Sequence, residues 1–177
     1  WESYKPKLRD HALTLLDAGS WDETTIGSGD ILEHVISAIE IREGALNNNL
    51  LTWDGRYGPD SRDHAALIDA TASERSLLEN LFFKLYRGEG DVGGLFDAIA
   101  AQTGYKYPLM AYLFFLKDSR TYMPIQPTGF DRVFAALGIQ LTTLRQCSWE
   151  NYSIYNSALQ DLRHKISQHF NITDVVL

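Results

Sequence analysis

Apolar residues recur every three or four positions along most of this 177-residue chain, the spacing of one face of an α-helix. Glycine follows several of these stretches and proline opens two of them, as is common at helix boundaries. The pattern predicts a mainly α fold of about six to seven helices in a single domain over residues 1–177. The predicted helices cover residues 6–18, 30–44, 71–88, 95–104, 108–117, 128–138 and 148–166, with a short helix near 63–70.

Three of these helices begin with a residue pair typical of a capping box. In such a box a serine, threonine or aspartate is followed three residues later by an acidic residue, and each side chain accepts a hydrogen bond from the other residue's backbone N–H. The pairs are Asp30 with Glu33, Thr71 with Glu74, and Thr128 with Asp131.

The stretch from Lys106 to Gly138 is the most apolar part of the chain. Its first predicted helix is apolar on all faces, which is typical of a helix buried at the centre of a domain. The continuous apolar run is much shorter than the ~20 residues that span a bilayer. Pro124 and Pro127 favour an extended backbone before them. We therefore expect a buried helix, a non-helical crossing over 120–127, and a second helix packed back on the first.

Glycine and aspartate mark the remaining segments as turns or links. Asp54-Gly55 and Gly58-Pro59 predict a loop over residues 52–63. The glycine-rich segment 88–94 lacks the Lys-Ser/Thr pair of a phosphate-binding loop, and its position after a helix favours a flexible link. Residues 139–145 alternate loosely, which predicts one short β element there.

Charge and cysteine usage narrow the function classes. A net charge of −7 and a pI of about 5.1 argue against a general nucleic-acid coat protein, but they allow a local basic patch. With a single cysteine, Cys147, the chain can form neither an internal disulfide nor a cysteine-based zinc cluster, and a reducing, cytoplasmic setting fits. Because the chain starts without methionine and ends on apolar residues, we expect a piece of a larger protein; a C-terminal strand entering the core is the alternative.

No catalytic, metal or cofactor motif stands out. The histidines are scattered along the chain, and no base lies close in sequence to Cys147, which is more typical of a small buried apolar residue than of a nucleophile. We therefore predict no catalytic residue, no metal and no cofactor within this chain.

Basic and aromatic residues interleave in two places, and this pairing is typical of nucleic-acid contacts, where rings stack on bases and cations hold phosphates. One group follows Trp53 in the predicted loop, and the other surrounds the central helix. The alternative is that the arginines pair with the surplus acids while the aromatic rings anchor loops. The candidate nucleic-acid-binding residues are Arg56, Tyr57 and Arg62 in the first group, and Lys106, Lys117, Arg120, Tyr122 and Arg145 in the second.

The central stretch also resembles a helical region of McrB-like and HNH-linked proteins of modification-dependent (type IV) restriction and phage defence. The resemblance lies in an order of features: a Tyr-Pro start, an apolar run, a Lys-Asp end, an aromatic-Met-Pro-Ile segment and a helix closing on Leu-Gly. Cys147–Tyr152 fits the same group. The matching residues are Tyr107, Pro108, Leu113 to Leu116, Lys117, Asp118, Tyr122, Met123, Pro124, Ile125, Phe130, Phe134, Leu137 and Gly138. The resemblance implies an accessory or recognition module, with the motor and nuclease supplied elsewhere.

Three hypotheses follow. The first is a non-catalytic domain of a DNA-restriction or phage-defence protein that contacts DNA or docks another protein or domain of the same system. The second is a protein–protein interaction or oligomerisation domain with no nucleic-acid role. The third is an enzyme with a site assembled from dispersed residues such as His64, Asp118 and Arg120.

Overall fold

A computed structural model describes residues 4–44, 46–55, 58–88, 90–125, 127–141 and 146–170. Over these ranges the chain forms eight α-helices and one two-stranded antiparallel hairpin, so the predicted mainly α fold is confirmed. The elements are α1 (Tyr4–Leu16), α2 (Asp30–Ile39), β1 (Arg42–Glu43), β2 (Leu46–Asn47), α3 (Ala65–Ile68), α4 (Ala72–Tyr86), α5 (Val92–Gln102), α6 (Tyr107–Lys117), α7 (Pro127–Ala136) and α8 (Trp149–Phe170).

The helix α6 is buried on every face, as its sequence predicts. The Tyr112 hydroxyl donates to the Ala38 carbonyl near the end of α2, at 2.6 Å. On another face the Leu113 carbonyl accepts from the Tyr86 hydroxyl of α4, at 2.9 Å. These buried hydrogen bonds satisfy polar groups that would otherwise oppose burial, and they tie α6 to both neighbours.

The other helices pack around this centre through their apolar faces. α1 packs against α2, α2 against α4, α4 against α5, and α5 against α8. Where α5 meets α8, Phe96 stacks on Tyr152 with ring centroids 5.1 Å apart, and Phe96 also contacts Trp149 at 5.8 Å. Large aromatic side chains of this kind supply much of the apolar area buried in a helical core.

The glycine-rich segment is only partly a link, so its prediction as a flexible connection is wrong for the second half. α5 begins at Val92 because the Asp91 side chain accepts from the Gly93 backbone N–H at 3.1 Å and caps the helix. A Cβ on Gly93 would stand 2.6 Å from Cδ1 of Trp149. Glycine at this position allows α5 and α8 to approach closely.

Local capping signals are confirmed at α4 and wrong at α7. The Glu74 carboxylate accepts from the Thr71 N–H at 2.8 Å, and the Thr71 hydroxyl accepts from the Glu74 N–H at 3.4 Å. α7 begins at Pro127, so Thr128 lies inside the helix rather than ahead of it. Proline favours the first helical turn, where its missing N–H is not needed.

The N-terminus of α2 is capped by a glutamate from α4 instead of by its own Asp30. Gly29, with a φ of 102°, precedes the helix, and Asp30 is already helical. The carboxylate of the fully buried Glu79 accepts three backbone N–H groups, those of Gly27 at 2.7 Å, Gly29 at 3.2 Å and Leu32 at 3.1 Å. These bonds satisfy N–H groups that a helix start leaves free, and the negative charge faces the positive end of the helix dipole.

The β element of the described residues lies at 42–47, whereas the sequence predicted one near 139–145. α2 ends at Ile39, and the chain turns at Gly44, whose φ of 57° suits glycine. The buried Asn48 amide donates to the Ile39 carbonyl at 2.8 Å and holds the hairpin against the end of α2. Residues 139–141 form no strand, and residues 142–145 lie outside the described residues.

The segment between α6 and α7 is non-helical over 118–125, as predicted. It is fastened to α8, because the Tyr152 hydroxyl donates to the Met123 carbonyl at 2.9 Å and the Asn156 side chain accepts from the Met123 N–H at 3.0 Å. This fastening sets the position of the charged turn that follows α6.

Candidate nucleic-acid interface

The predicted nucleic-acid-binding residues divide between the two ends of α6. Lys106 immediately precedes the helix, whereas Lys117 ends it and Arg120 and Tyr122 follow. The 11 residues of α6 separate its ends by about 16 Å. The structure therefore does not bring the whole predicted set together. Arg56, Tyr57 and Arg145 lie outside the described residues.

The aromatic residue that opens the first group is engaged within its own loop. The Trp53 indole N–H donates to the Asn48 carbonyl at 2.8 Å. The Arg42 guanidinium lies 5.0 Å from the centre of a Trp53 ring and also donates to Asp54 at 3.0 Å. These contacts match the alternative interpretation, in which aromatic rings anchor loops and arginines pair with acids.

Arg62 and Lys106 lie near a half-buried acid, Asp63. Asp63 closes the base of the loop, because its carboxylate accepts from the Thr52 N–H at 2.7 Å. Burial raises the pKa of Asp63, and the positive charge of Lys106 opposes that rise. Arg62 is half-buried next to Gly55.

At the other end of α6, two cations hydrogen bond to the ends of helices. The Lys117 ammonium donates to the Leu85 carbonyl in the last turn of α4. Arg9 of α1 donates to the Phe115 and Leu116 carbonyls of α6, both at 3.5 Å. Carbonyls in the last turn have no helical partner and form the negative end of the helix dipole, so cations are stabilised there.

Further cations lie close along the chain to these contacts or to their neighbours. Lys84 and Arg87 are exposed at the end of α4 beside Leu85, and Arg120 is exposed in the turn after α6. Arg163 of α8 is half-buried one helical turn beyond Gln160, whose amide donates to the Arg120 carbonyl at 3.0 Å. We call this set the helix-end basic surface: Arg9, Lys84, Arg87, Lys117, Arg120 and Arg163.

Asp118 lies within the helix-end basic surface and shapes it. Its carboxylate accepts from the Thr121 hydroxyl at 2.6 Å and from the Arg120 N–H at 2.9 Å. The hydrogen bond from Thr121, with smaller contributions from the Arg120 backbone and from the charge of Arg9, lowers the pKa of Asp118. The carboxylate therefore stays charged, fixes the turn and offsets part of the local positive charge.

Tyr122 is half-buried and packs against the edge of the core. Its ring meets Phe114 edge-on at 5.3 Å between centroids and lies 6.3 Å from Trp149. Burial, with a smaller effect from the Asp118 charge, raises the pKa of the Tyr122 hydroxyl. Part of the ring is thus occupied by protein contacts.

The residues considered for an enzymatic site have separate partners. His64 is fully buried, and its Nε2 lies 2.8 Å from a Glu40 carboxylate oxygen at the end of α2. The Asp118 carboxylate accepts from the Arg120 backbone N–H and from the Thr121 hydroxyl after α6. Among the residues that the structure describes, no group of three or more His, Cys, Asp or Glu side chains is placed to hold a metal ion.

Sequence reasoning missed Arg9, Lys84, Arg87 and Arg163. They come from three helices that are far apart along the chain, so no local motif contains them. A partial signal exists at the end of predicted helix 71–88, since Lys84 and Arg87 fall in its last turns. Cations are expected there for helix stability alone, which hides any further role.

Comparison with known proteins gives no further assignment. No family model, curated protein or solved structure matches this chain. No helix in the described part of the chain is long and apolar enough to cross a membrane.

Proposed function

We propose that this chain is a non-catalytic helical domain of a bacterial DNA-restriction or phage-defence protein, and that it contacts DNA through the helix-end basic surface. The observation that carries the proposal is that Lys117 and Arg9 donate to carbonyls at the ends of α4 and α6, close along the chain to the exposed Arg87 and Arg120, in a chain whose net charge is −7. The class of system comes from the resemblance of residues 107–138.

Local charge, rather than the charge of the whole chain, governs such a contact. Exposed charges separated by more than about 10 Å are largely screened at ordinary salt, so distant acids weaken the surface little. Lysine and arginine near phosphates displace condensed counterions, which supplies most non-specific affinity for DNA. Asp118 remains inside the surface and limits its net charge. We therefore expect weak binding that suits an accessory contact.

A titration by fluorescence anisotropy tests the proposal. A labelled duplex is titrated with the protein at about 50 mM and about 200 mM salt, and we expect binding that weakens steeply as salt rises. The variant that combines Arg87→Gln with Arg120→Gln should bind more weakly, with an unchanged circular dichroism spectrum. Its matched control is Arg75→Gln, because Arg75 is exposed in the first turn of α4, about 18 Å along the helix axis from Arg87, which directly follows the last residue of α4.

The outcome also separates the DNA hypothesis from the interaction-domain hypothesis. Absence of salt-sensitive binding, or equal loss of binding in the Arg75 control, contradicts the DNA proposal. One observation supports the interaction-domain hypothesis. The apolar residues Val133 and Leu137, one helical turn apart at the end of α7, are 48% and 55% exposed. A molecular mass that rises with concentration, and that Leu137→Lys returns to the monomer value, would support self-association instead.

A further inference from the structure

Residues 18–26, between α1 and α2, are tied to the rest of the chain by one side chain. The Trp21 indole N–H donates to Nδ1 of His34 on α2, at 3.0 Å. Every other hydrogen bond that the structure describes for this segment is local and stays within residues 17–28. Trp21 is 2% exposed, whereas the other residues of the segment are exposed or half-buried. We call residues 18–26 the Trp21 segment.

The chain on either side of the Trp21 segment is anchored by separate contacts. Before it, the Asp17 N–H donates to the Leu13 carbonyl at 3.1 Å and extends the last turn of α1. After it, the Gly27 N–H donates to the Glu79 carboxylate at 2.7 Å. Loss of the indole hydrogen bond therefore leaves both anchors in place and frees only the residues between them.

The hydrogen bond requires a neutral imidazole. A ring nitrogen accepts only while it carries no proton, so Nδ1 of His34 accepts from Trp21 when the single ring proton is on Nε2. A second proton makes both nitrogens donors, and two N–H groups then face each other. Histidine gains this proton between about pH 8 and pH 5.

The ring geometry gives the charged imidazole no compensating contact with the indole. The two ring planes are 24° apart and their centroids are 6.3 Å apart, so the rings of Trp21 and His34 meet at their nitrogen edges rather than face to face. A cation is attracted to an aromatic ring when it lies over the ring face. Protonation therefore leaves a buried indole N–H without an acceptor, which is unfavourable.

Acids predominate among the titratable groups next to Trp21 and His34 on the elements packed here, and their charge favours the protonated imidazole. Among the described residues, none of these groups forms an ion pair or a hydrogen bond with His34. They are Asp17 after α1, Asp22 and Glu23 beside Trp21, Asp30 and Glu33 on α2, and Tyr86 and Arg87 at the end of α4.

We infer that Trp21 and His34 form a pH-sensitive latch, in which protonation of His34 releases the indole and detaches the Trp21 segment while the helical core stays folded. The latch is closed above the ordinary titration range of histidine, near pH 6.5, and opens as the pH falls below it. Opening also removes the edge-on contact between Trp21 and Tyr86 of α4, whose ring centroids are 5.9 Å apart. The latch is independent of DNA binding.

The two other histidines near α2 respond to acid in the opposite direction. Nε2 of His64 lies 2.8 Å from the Glu40 carboxylate, and Nε2 of His11 lies 3.2 Å from the Glu43 carboxylate. A proton on either imidazole creates an ion pair with an acid that is already in place. The release that acid causes is therefore confined to His34.

Nuclear magnetic resonance of the 15N-labelled chain tests the latch between about pH 8 and about pH 5. The indole signal of Trp21 is identified from its absence in Trp21→Phe. We expect the protection of this N–H against hydrogen exchange, corrected for the intrinsic rate at each pH, to fall by about tenfold or more as the pH is lowered. The backbone N–H of Leu32, which Glu79 accepts, should keep its protection.

His34→Asn supplies the matched variant, because asparagine places an amide oxygen on Cγ, where Nδ1 of histidine is attached. This oxygen accepts at every pH, so the acid-dependent change at Trp21 should disappear. His169→Asn, at an exposed histidine of α8, should leave the change as it is in the wild type.

Long-range 15N spectra of the wild type follow the imidazole itself and do not depend on whether any variant folds. We expect Nδ1 of His34 to be unprotonated at about pH 8 and to gain its proton along the same curve as the change at Trp21. A protonated Nδ1 at about pH 8 overturns the inference, as does an indole signal that is unaffected by acid. Loss of protection at Leu32 together with Trp21, or an unchanged response in His34→Asn, also overturns it.

Discussion

Charged side chains from other helices stabilise both the start of α2 and the ends of α4 and α6, but the two regions differ in access to water. Glu79 is fully buried, and its two oxygens together accept three backbone N–H groups. Lys117 and Arg9 donate to helix carbonyls from half-buried positions and retain other N–H groups. In both regions the side-chain charge is opposite to that of the helix end it contacts, since the helix dipole is positive at the N-terminus and negative at the C-terminus.

The difference shows that burial decides whether a charged side chain can only stabilise the fold or can also bind an external ion. A carboxylate whose lone pairs are occupied and which has no access to solvent can serve only the fold. An ammonium or guanidinium at the surface can stabilise a helix end and still attract an external anion. Changes at Glu79 should therefore act on stability alone, whereas changes at the basic end should act on stability and binding in different proportions.

The largest effect should come from Glu79→Gln. The substitution puts an amide NH₂ where a carboxylate oxygen now accepts, so at least one buried backbone N–H loses its partner. We expect the free energy of unfolding to fall by about 3 kcal/mol. Urea denaturation measures this loss, and Glu33→Gln, an exposed change in the first turn of α2, is the control with an effect below about 0.5 kcal/mol. Equal effects at the two positions would contradict the structural role of Glu79.

A smaller effect is expected for Lys117→Met. Methionine keeps much of the apolar stem but removes the ammonium that donates to the Leu85 carbonyl. We expect a loss of about 1–1.5 kcal/mol in urea denaturation, together with weaker binding of the duplex. A variant that is destabilised but binds the duplex as tightly as the wild type would show that Lys117 serves only the fold.

Asp97→Asn tests the same type of cap as Glu79, in an exposed setting. The Asp97 carboxylate of α5 accepts from the Trp149 N–H at the start of α8, at 2.7 Å. Water can replace this partner, and the asparagine oxygen can still accept, so we expect a loss of at most about 1 kcal/mol. A loss as large as that of Glu79→Gln would show that burial is not what separates the two caps.

The smallest effect should be the pH dependence at Asp118. Its pKa in the folded chain is lowered by the Thr121 hydrogen bond, so the charged carboxylate stabilises the fold at a pH above its ordinary range near 4. This contribution is lost as the pH falls through the folded pKa. Unfolding midpoints measured between about pH 3 and pH 6 should therefore depend less on pH in Asp118→Asn than in the wild type. An identical pH dependence in both proteins would argue against this role.

Local order was predictable because its causes are local. The Thr71 and Glu74 pair lies within one helical turn, and the burial of α6 follows from apolar residues on all its faces. The hairpin was missed because Asn48 acts on a carbonyl at the end of the preceding helix, which no strand pattern reveals. Glu79 has the appearance of an ordinary helix glutamate in the sequence, since its partners lie about 50 residues earlier.

Only part of the helix-end basic surface could be predicted, because its residues lie far apart along the chain. Lys117 and Arg120 lie at or just after a predicted helix end, whereas Arg9 donates to the Phe115 and Leu116 carbonyls from more than 100 residues away. The aromatic part of the prediction stays a prediction; its one described ring, Tyr122, is half-buried and packs edge-on against Phe114. Sequence spacing does not reveal which face of such a ring is free.

The close approach of Gly93 to Trp149 has a consequence for sequence divergence. Any side chain at position 93 would strike the indole, with a Cβ only 2.6 Å from Cδ1. In related sequences, a residue larger than glycine at position 93 should therefore occur with a smaller residue at position 149. Such covariation between the two positions would record the contact between α5 and α8 without any structure of the relative.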